Sequence, residues 1–114
     1  MSHMMKQKIG IKHFNMEVLK KALELAQKEL GRKIEVHNDY IVLKGRGYYD
    51  DITISKTGDI SYDSMARWNA EKTTEIVRKY YTAVASVMAL KNMGYDVELQ
   101  KGQNGELQVV GVMP

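Results

Sequence analysis

The stretch LGRKIEVHNDYIVLKGRGYYDDITISKTGDISYD, Leu30–Asp63, packs four short β-forming runs between turn residues. KIEVH and YIVLK flank Asn38-Asp39, a pair suited to a tight hairpin turn. After the break at Gly45-Arg46-Gly47, DITIS alternates Ile52 and Ile54 with Thr53 and Ser55. The turn KTGD centres on Gly58, and ISYD follows with Ile60 and Tyr62 on one face. Period-two alternation punctuated by turns reads as a four-stranded meander.

Upstream, Val18, Leu19, Ala22, Leu23, Ala26 and Leu30 recur at helical spacing from Met16 onward, with lysines and glutamates on the other face. Asn15 is a good N-cap, Phe14 before it can staple onto Leu19, and Gly31 suits the left-handed residue that ends a helix. KIGIK (Lys8 to Lys12) alternates as a short strand ahead of this helix. Downstream, Asn69 is the expected cap of a second helix. Its inner stripe is Ile76, Val77, Tyr80, Val84, Val87 and Met88, with Ala83 and Leu90 at the margin, and Gly94 ends it. DVELQ and ELQVVGV close the chain around Asn104-Gly105, a strong hairpin signal.

KELGRKIEV and KNMGYDVEL say nearly the same thing at a spacing of 63 residues. Leu30 matches Met93, Gly31 matches Gly94, Ile34 matches Val97 and Val36 matches Leu99, while Ala22 and Ala26 fall on Ala85 and Ala89. Either the chain holds a duplicated β-α-β-β unit, or this is the grammar of any helix handing over to a hairpin. The expected fold class is α+β: a single domain, residues 1–114, with an antiparallel-rich sheet of about seven strands and two helices on one face. Residues 1–5 are expected to be a flexible N-terminus. The wetter sheet face would show Lys8, Lys12, Lys33, Glu35, Asp96, Glu98 and Tyr40.

With 114 residues and 44% apolar residues, the chain can build one modest core. It has no cysteine, which excludes disulfides and thiol catalysis and fits a reducing compartment. No apolar run approaches the roughly 20 residues of a membrane span, and MSHMMKQK lacks a signal-peptide apolar region. The expected location is the cytoplasm. Ser2-His3-Met4 reads either as native sequence or as a vector remnant.

Charge is uneven: residues 1–48 hold ten Lys/Arg against five Asp/Glu, and residues 49–114 hold seven against nine. A basic half can attract nucleic acid, through Lys6, Lys8, Lys12, Lys44 and Arg46. Lys20, Lys21 and Lys28, however, lie beside Glu17, Glu24 and Glu29 on a helix, the pattern of a solvated face. His3, His13 and His37 make no metal-binding spacing. Asp59, Ser61 and Asp63 share a strand face, where a weak divalent-ion site is conceivable, but turn roles are the better reading for these and for Asp50-Asp51. Gly45-Arg46-Gly47 lacks the strand–GxGxxG–helix context of a phosphate loop, and a flexible inter-strand connector is the better reading. No catalytic motif is present, and neither a catalytic residue nor a cofactor is expected.

The most distinctive candidates for exposed side chains are Tyr48, Tyr49 and Trp68, which with Lys44, Arg46 and Arg67 could anchor a protein partner or stack on bases. Trp68 closing the end of the core is the favoured alternative for that residue. Tyr80 is expected in the core.

The opening MSHMMKQKIGIK, the DITISKTGDISYD hairpin and the final GYDVELQKGQNGELQVV together resemble the Ycf thirty-five family, a cyanobacterial and plastid-type reading frame with bacterial relatives. The likeness spans almost the whole chain. Met4 replaces the family's aromatic, and its Trp-rich stretch is reduced to Trp68. The resemblance implies an α+β domain and brings no catalytic residues or cofactor. The resulting expectation is a small non-catalytic binding or adaptor domain, contacting a protein partner or its own copy through the open sheet face or the aromatic loop region. The alternative is a weakly specific nucleic-acid binder.

Overall fold

The computed structural model describes residues 4–11, 13–47 and 49–112. The Leu30–Asp63 stretch forms β2 (Lys33–Val36), β3 (Tyr40–Lys44), β4 (Ile52–Ser55) and β5 (Asp59–Asp63), paired in sequence order and all antiparallel. The β2–β3 turn is the two-residue Asn38-Asp39 hairpin, closed by the His37 N–H donating to the Tyr40 carbonyl at 2.9 Å. β1 (Met4–Lys8) adds antiparallel to β5, giving the order β1-β5-β4-β3-β2. Ile41, Leu43, Ile52, Ile54, Ile60 and Tyr62 are buried on one face, as period-two alternation requires.

That face packs against α1 (Met16–Leu30) and α2 (Arg67–Asn92), which contribute Leu19, Leu23, Ala70, Val77, Tyr80 and Val84 to the same core. Asn15 caps α1 as expected, its side-chain oxygen accepting from the N–H groups of Glu17 (2.8 Å) and Val18 (3.3 Å). Gly31 ends the helix at φ +62°, with its N–H on the Gln27 carbonyl. Gly94, at φ +93°, turns the chain after α2; its N–H donates to Lys91 and the Tyr95 N–H to Leu90.

Several expectations need correction. The described residues form seven strands, but these divide into the five-stranded sheet and a separate two-stranded one, β6 (Val97–Lys101) with β7 (Leu107–Gly111). This hairpin lies against α2, to which both strands hold. Period-two alternation reveals an inner face, here Val97, Leu99 and Leu107, without saying which layer it meets. Asp96 and Glu98 are therefore exposed beside or on the second sheet, not on the face that displays Lys33, Glu35 and Tyr40. The helix–glycine–hairpin grammar does occur twice, with the two hairpins in different sheets.

The first strand is Met4–Lys8 rather than Lys8–Lys12. Its ladder ends where the Ile9 N–H reaches the Gly58 carbonyl (2.9 Å), because Gly10 takes φ +78° and turns the chain away. Ile9 is buried there and Arg78 of α2 donates to its carbonyl at 2.8 Å. Met4 and Met5, expected in a flexible N-terminus, pair with Asp63 and Tyr62. Lys12 and His3 lie outside the described residues.

The second helix is entered differently as well. Asp63 accepts from the Met65 N–H (2.9 Å) and starts a single 3-10 turn, Ser64–Ala66, that runs directly into α2. Asn69 is thus inside the first turn of α2 and is not its cap. The α2 stripe also includes Tyr81, which expectation left out. Its ring stacks on Phe14 (centroids 5.4 Å apart, planes 11° apart) and its hydroxyl accepts the Asn15 N–H at 2.7 Å. One side chain of α2 so fixes the start of α1. Tyr81→Phe is expected to keep the stack but lose about 1 kcal/mol of stability, measured by urea unfolding, whereas Tyr95→Phe, at an exposed site, should change little.

Candidate interaction surface

The loop joining β3 to β4 is held by two adjacent carboxylates. Asp51 accepts from the Lys44 ammonium at 2.6 Å and from the Gly45 N–H at 2.9 Å. Asp50 is gripped by Arg32, the residue just after the α1 cap, through Nη1 to its carbonyl and Nη2 to Oδ1 (3.1 Å). The Arg32 side chain is only 9% exposed. Gly45 is required by this closure, since a Cβ there would run into the Cβ and carbonyl of Asp50. Gly45-Arg46-Gly47, expected as a flexible connector, belongs to a loop clamped at both ends.

The clamp sets the loop beside the 3-10 turn and the start of α2. A shallow cavity of about 360 Å³ is lined by Gly47, Tyr49, Asp50, Met65, Ala66 and Asn69. A second, of about 280 Å³, shares Asp50 and Asn69 and is bordered by Arg32, Lys44, Gly45 and Arg46. Tyr49 is 48% exposed and Met65 72%. Trp68 follows Met65 at i,i+3, on the same side of the helical turn, and is 81% exposed. The expectation that Trp68 closes the end of the core is therefore corrected: Ala66 and Ala70 take the buried positions on either side of it. The periodicity of the Met65–Ala70 segment carried this signal, and the usual preference of Trp for burial masked it.

Of the five residues expected to form a binding surface, Tyr49 lines the first cavity and Lys44 and Arg46 border the second; Trp68 lines neither and stands over a separate shallow cavity with Glu71, Lys72 and Glu75; Tyr48 lies outside the described residues. Lys44 is committed to Asp51, while Arg46 is exposed. Arg67 pairs with Glu71 at 3.1 Å. Lys6, invoked for nucleic acid with Lys44 and Arg46, sits on β1, which β5 and β4 separate from β3.

The remaining polar candidates serve local structure. Asp59 accepts from the Thr57 hydroxyl at 3.0 Å, and Asp63 caps the 3-10 turn. His37 stacks on Tyr40, with centroids 4.4 Å apart, and lies 3.7 Å from Glu35. Among the described residues no three His, Cys, Asp or Glu side chains gather as a metal ion would need, and no described helix is long and apolar enough to cross a membrane. A cluster that the sequence did not reveal joins the layers elsewhere: Glu29 of α1 accepts from Lys79 (2.8 Å) and from the buried Tyr80 hydroxyl (2.6 Å), and Lys101 of β6 lies 5.4 Å from the Tyr80 ring centre. Those hydrogen bonds, from Lys79 first and Tyr80 second, hold the Glu29 carboxyl below its ordinary range. No family model, curated protein or solved structure matches the chain.

Two outcomes test the loop clamp. Gly45→Ala should cost about 1–3 kcal/mol while Gly47→Ala, with open space around it, stays near neutral in urea unfolding. The Lys44 ammonium, and next the Gly45 N–H, hold the Asp51 carboxyl below the usual range. A depressed folded value means that this contribution is present above the unfolded value of about 3.9 and is lost as pH falls through the folded one. Unfolding free energy should therefore fall less steeply in Asp51→Asn than in the native chain below about pH 4. Parallel acid limbs would remove Asp51 from the clamp.

Proposed function

We propose that the protein is a small non-catalytic binding domain that holds a protein partner on the Tyr49–Met65–Trp68 surface. The observation that carries this reading is the exposure of Trp68 and, one helical turn before it, of Met65, which together with Tyr49 lines the adjoining cavity. Burying a large apolar side chain contributes about 1.5–3 kcal/mol, and here that gain is left unrealised within the chain. Trp, Tyr and Arg are the residue types that dominate protein interfaces, and Arg46 stands at the edge of this one. A clamped loop also loses little entropy on binding.

Charge favours a protein over a nucleic acid as the occupant. Arg32, Lys44 and Arg67 are each paired with a carboxylate, so few free cations face the cavities to neutralise phosphates. A cytoplasmic setting is part of the same proposal, resting on the cysteine-free composition. So is membership of the Ycf thirty-five family, supported by the DITISKTGDISYD hairpin and the order of the elements. The left-handed caps at Gly31 and Gly94 support a duplicated β-α-β-β unit, a statement about origin rather than chemistry.

Trp68 is the sole tryptophan, so its fluorescence reports the surface directly. The free protein should emit as a water-exposed indole and be readily quenched by acrylamide. Trp68→Ala should change stability by no more than about 0.5 kcal/mol, as befits an exposed site. Affinity purification from the native cell, with nuclease treatment as a control, should recover a protein that Trp68→Ala and Tyr49→Ala lose and Lys21→Ala keeps. A blue-shifted, unquenchable indole, or recovery only of nuclease-sensitive material, would overturn the reading.

A further inference from the structure

β2 lies at the edge of the five-stranded sheet, and its backbone phase is fixed by the hairpin it shares with β3. The His37–Tyr40 bond makes those two residues a hydrogen-bonded pair. Pairs alternate along an antiparallel ladder, so Glu35 and Lys33 also turn their backbone groups toward Val42 and Lys44. Ile34 and Val36 therefore direct their N–H and C=O groups outward, away from β3. Val36 is also 56% exposed, so the apolar rim of the core is uncovered at this edge.

We infer that this edge is where a second copy of the chain adds, β2 against β2 around a two-fold axis through Ile34. Outward groups must meet outward groups, so the axis passes through a residue and not between two. Centred on Glu35, the ladder would oppose Glu35 to its own copy, a repulsive cross-strand pair. Centred on Val36, it would run into the Asn38-Asp39 turn. Centred on Ile34, it uses residues 32–36. Ile34 exchanges both backbone bonds with its copy, and each Lys33 lies opposite a Glu35 of the other protomer.

Those two Lys33–Glu35 pairs are non-hydrogen-bonded pairs, the positions at which facing side chains come closest. A lysine on an edge strand ordinarily discourages pairing with another chain. Here the glutamate two residues on supplies its complement, so the device that blocks other strands admits this one. The contact is isologous and closed, as a two-fold requires. It is also small beside a standard interface, so the dimer forms reversibly with concentration. It would join two sheets edge to edge and carry two Trp68 surfaces on one body, gaining avidity for a repetitive partner.

The test is sedimentation equilibrium on the full chain across a wide concentration range, with charge swaps on the exposed face. The native chain is expected to show a monomer–dimer equilibrium. Lys33→Glu and Glu35→Lys should each weaken it about tenfold, since each swap sets two like-charged pairs across the ladder. The double swap Lys33→Glu with Glu35→Lys should restore the native association. Circular dichroism on each variant separates lost association from lost folding. A chain that stays monomeric throughout, single swaps without effect, or a double swap as weak as the singles would overturn the proposal. So would a dimer abolished by Trp68→Ala and indifferent to the swaps, which would place the contact on the aromatic surface instead.

Discussion

Arg32 ties the end of α1 to the end of β3 and to the loop before β4. Gly31 stops α1 in a left-handed turn, and the next residue sends a guanidinium under the end of the sheet, where its side chain is almost wholly buried. A buried cation needs partners for its N–H groups, and Asp50 supplies a carbonyl and a carboxylate oxygen, with the Leu43 carbonyl more distant at 3.5 Å. Three pieces of chain remote in sequence are thereby tied: the end of α1, the end of β3 and the loop before β4. Removing either partner would leave the other ion desolvated. The loop conformation, the approach of Asp50 to Gly45 and the cavities beside the 3-10 turn all follow from that constraint.

The cavity over the clamp is lined by Arg32, Lys44, Arg46 and Asp50, and the one beside it, with Tyr49 and Met65, is chiefly apolar. The carboxylates that looked like candidates for chemistry, Asp50, Asp51, Asp59 and Asp63, spend their lone pairs on a guanidinium, an ammonium, a hydroxyl and a backbone N–H. Tyr49, Met65 and Trp68 remain displayed where the chain passes from sheet to helix. These exposed apolar side chains are what the proposed protein partner would cover. A second tie starts three residues before Arg32, in the last turn of α1. There Glu29, Lys79, Tyr80 and Lys101 tie α1, α2 and the β6–β7 hairpin together, so the second sheet is fastened to the helices and not to the first sheet.

Local elements were legible in the sequence wherever one residue type settles a local conformation. Asn15 and Gly31 bounded α1, Asn38-Asp39 gave the hairpin, and the alternation in DITIS and ISYD marked the buried face. Misreadings arose where tertiary context decides. Ile9 and Ile11 alternate like strand residues, yet the positive φ of Gly10 bends the chain and Ile9 fills the core from beyond the strand end. Asn69 looks like a cap, but Asp63 had already started the helical path one turn earlier. Asn104-Gly105 marks a hairpin correctly, although its loop spans residues 102–106 and its strands form a sheet of their own. Tyr49 was legible as an exposed loop residue, whereas Trp68 was not, because which side of a helix faces the core depends on where that helix begins.

Site-specific photo-crosslinking in the native cell tests most directly whether the clamped loop and the α2 entrance form the binding surface. A photoreactive residue would be placed at position 68 and, separately, at position 53 on the open sheet face. Capture of one discrete protein from position 68, absent from position 53 and lost when Arg32→Ala releases the loop in an otherwise folded chain, is the predicted result. Capture from position 53 with none from position 68 would contradict it.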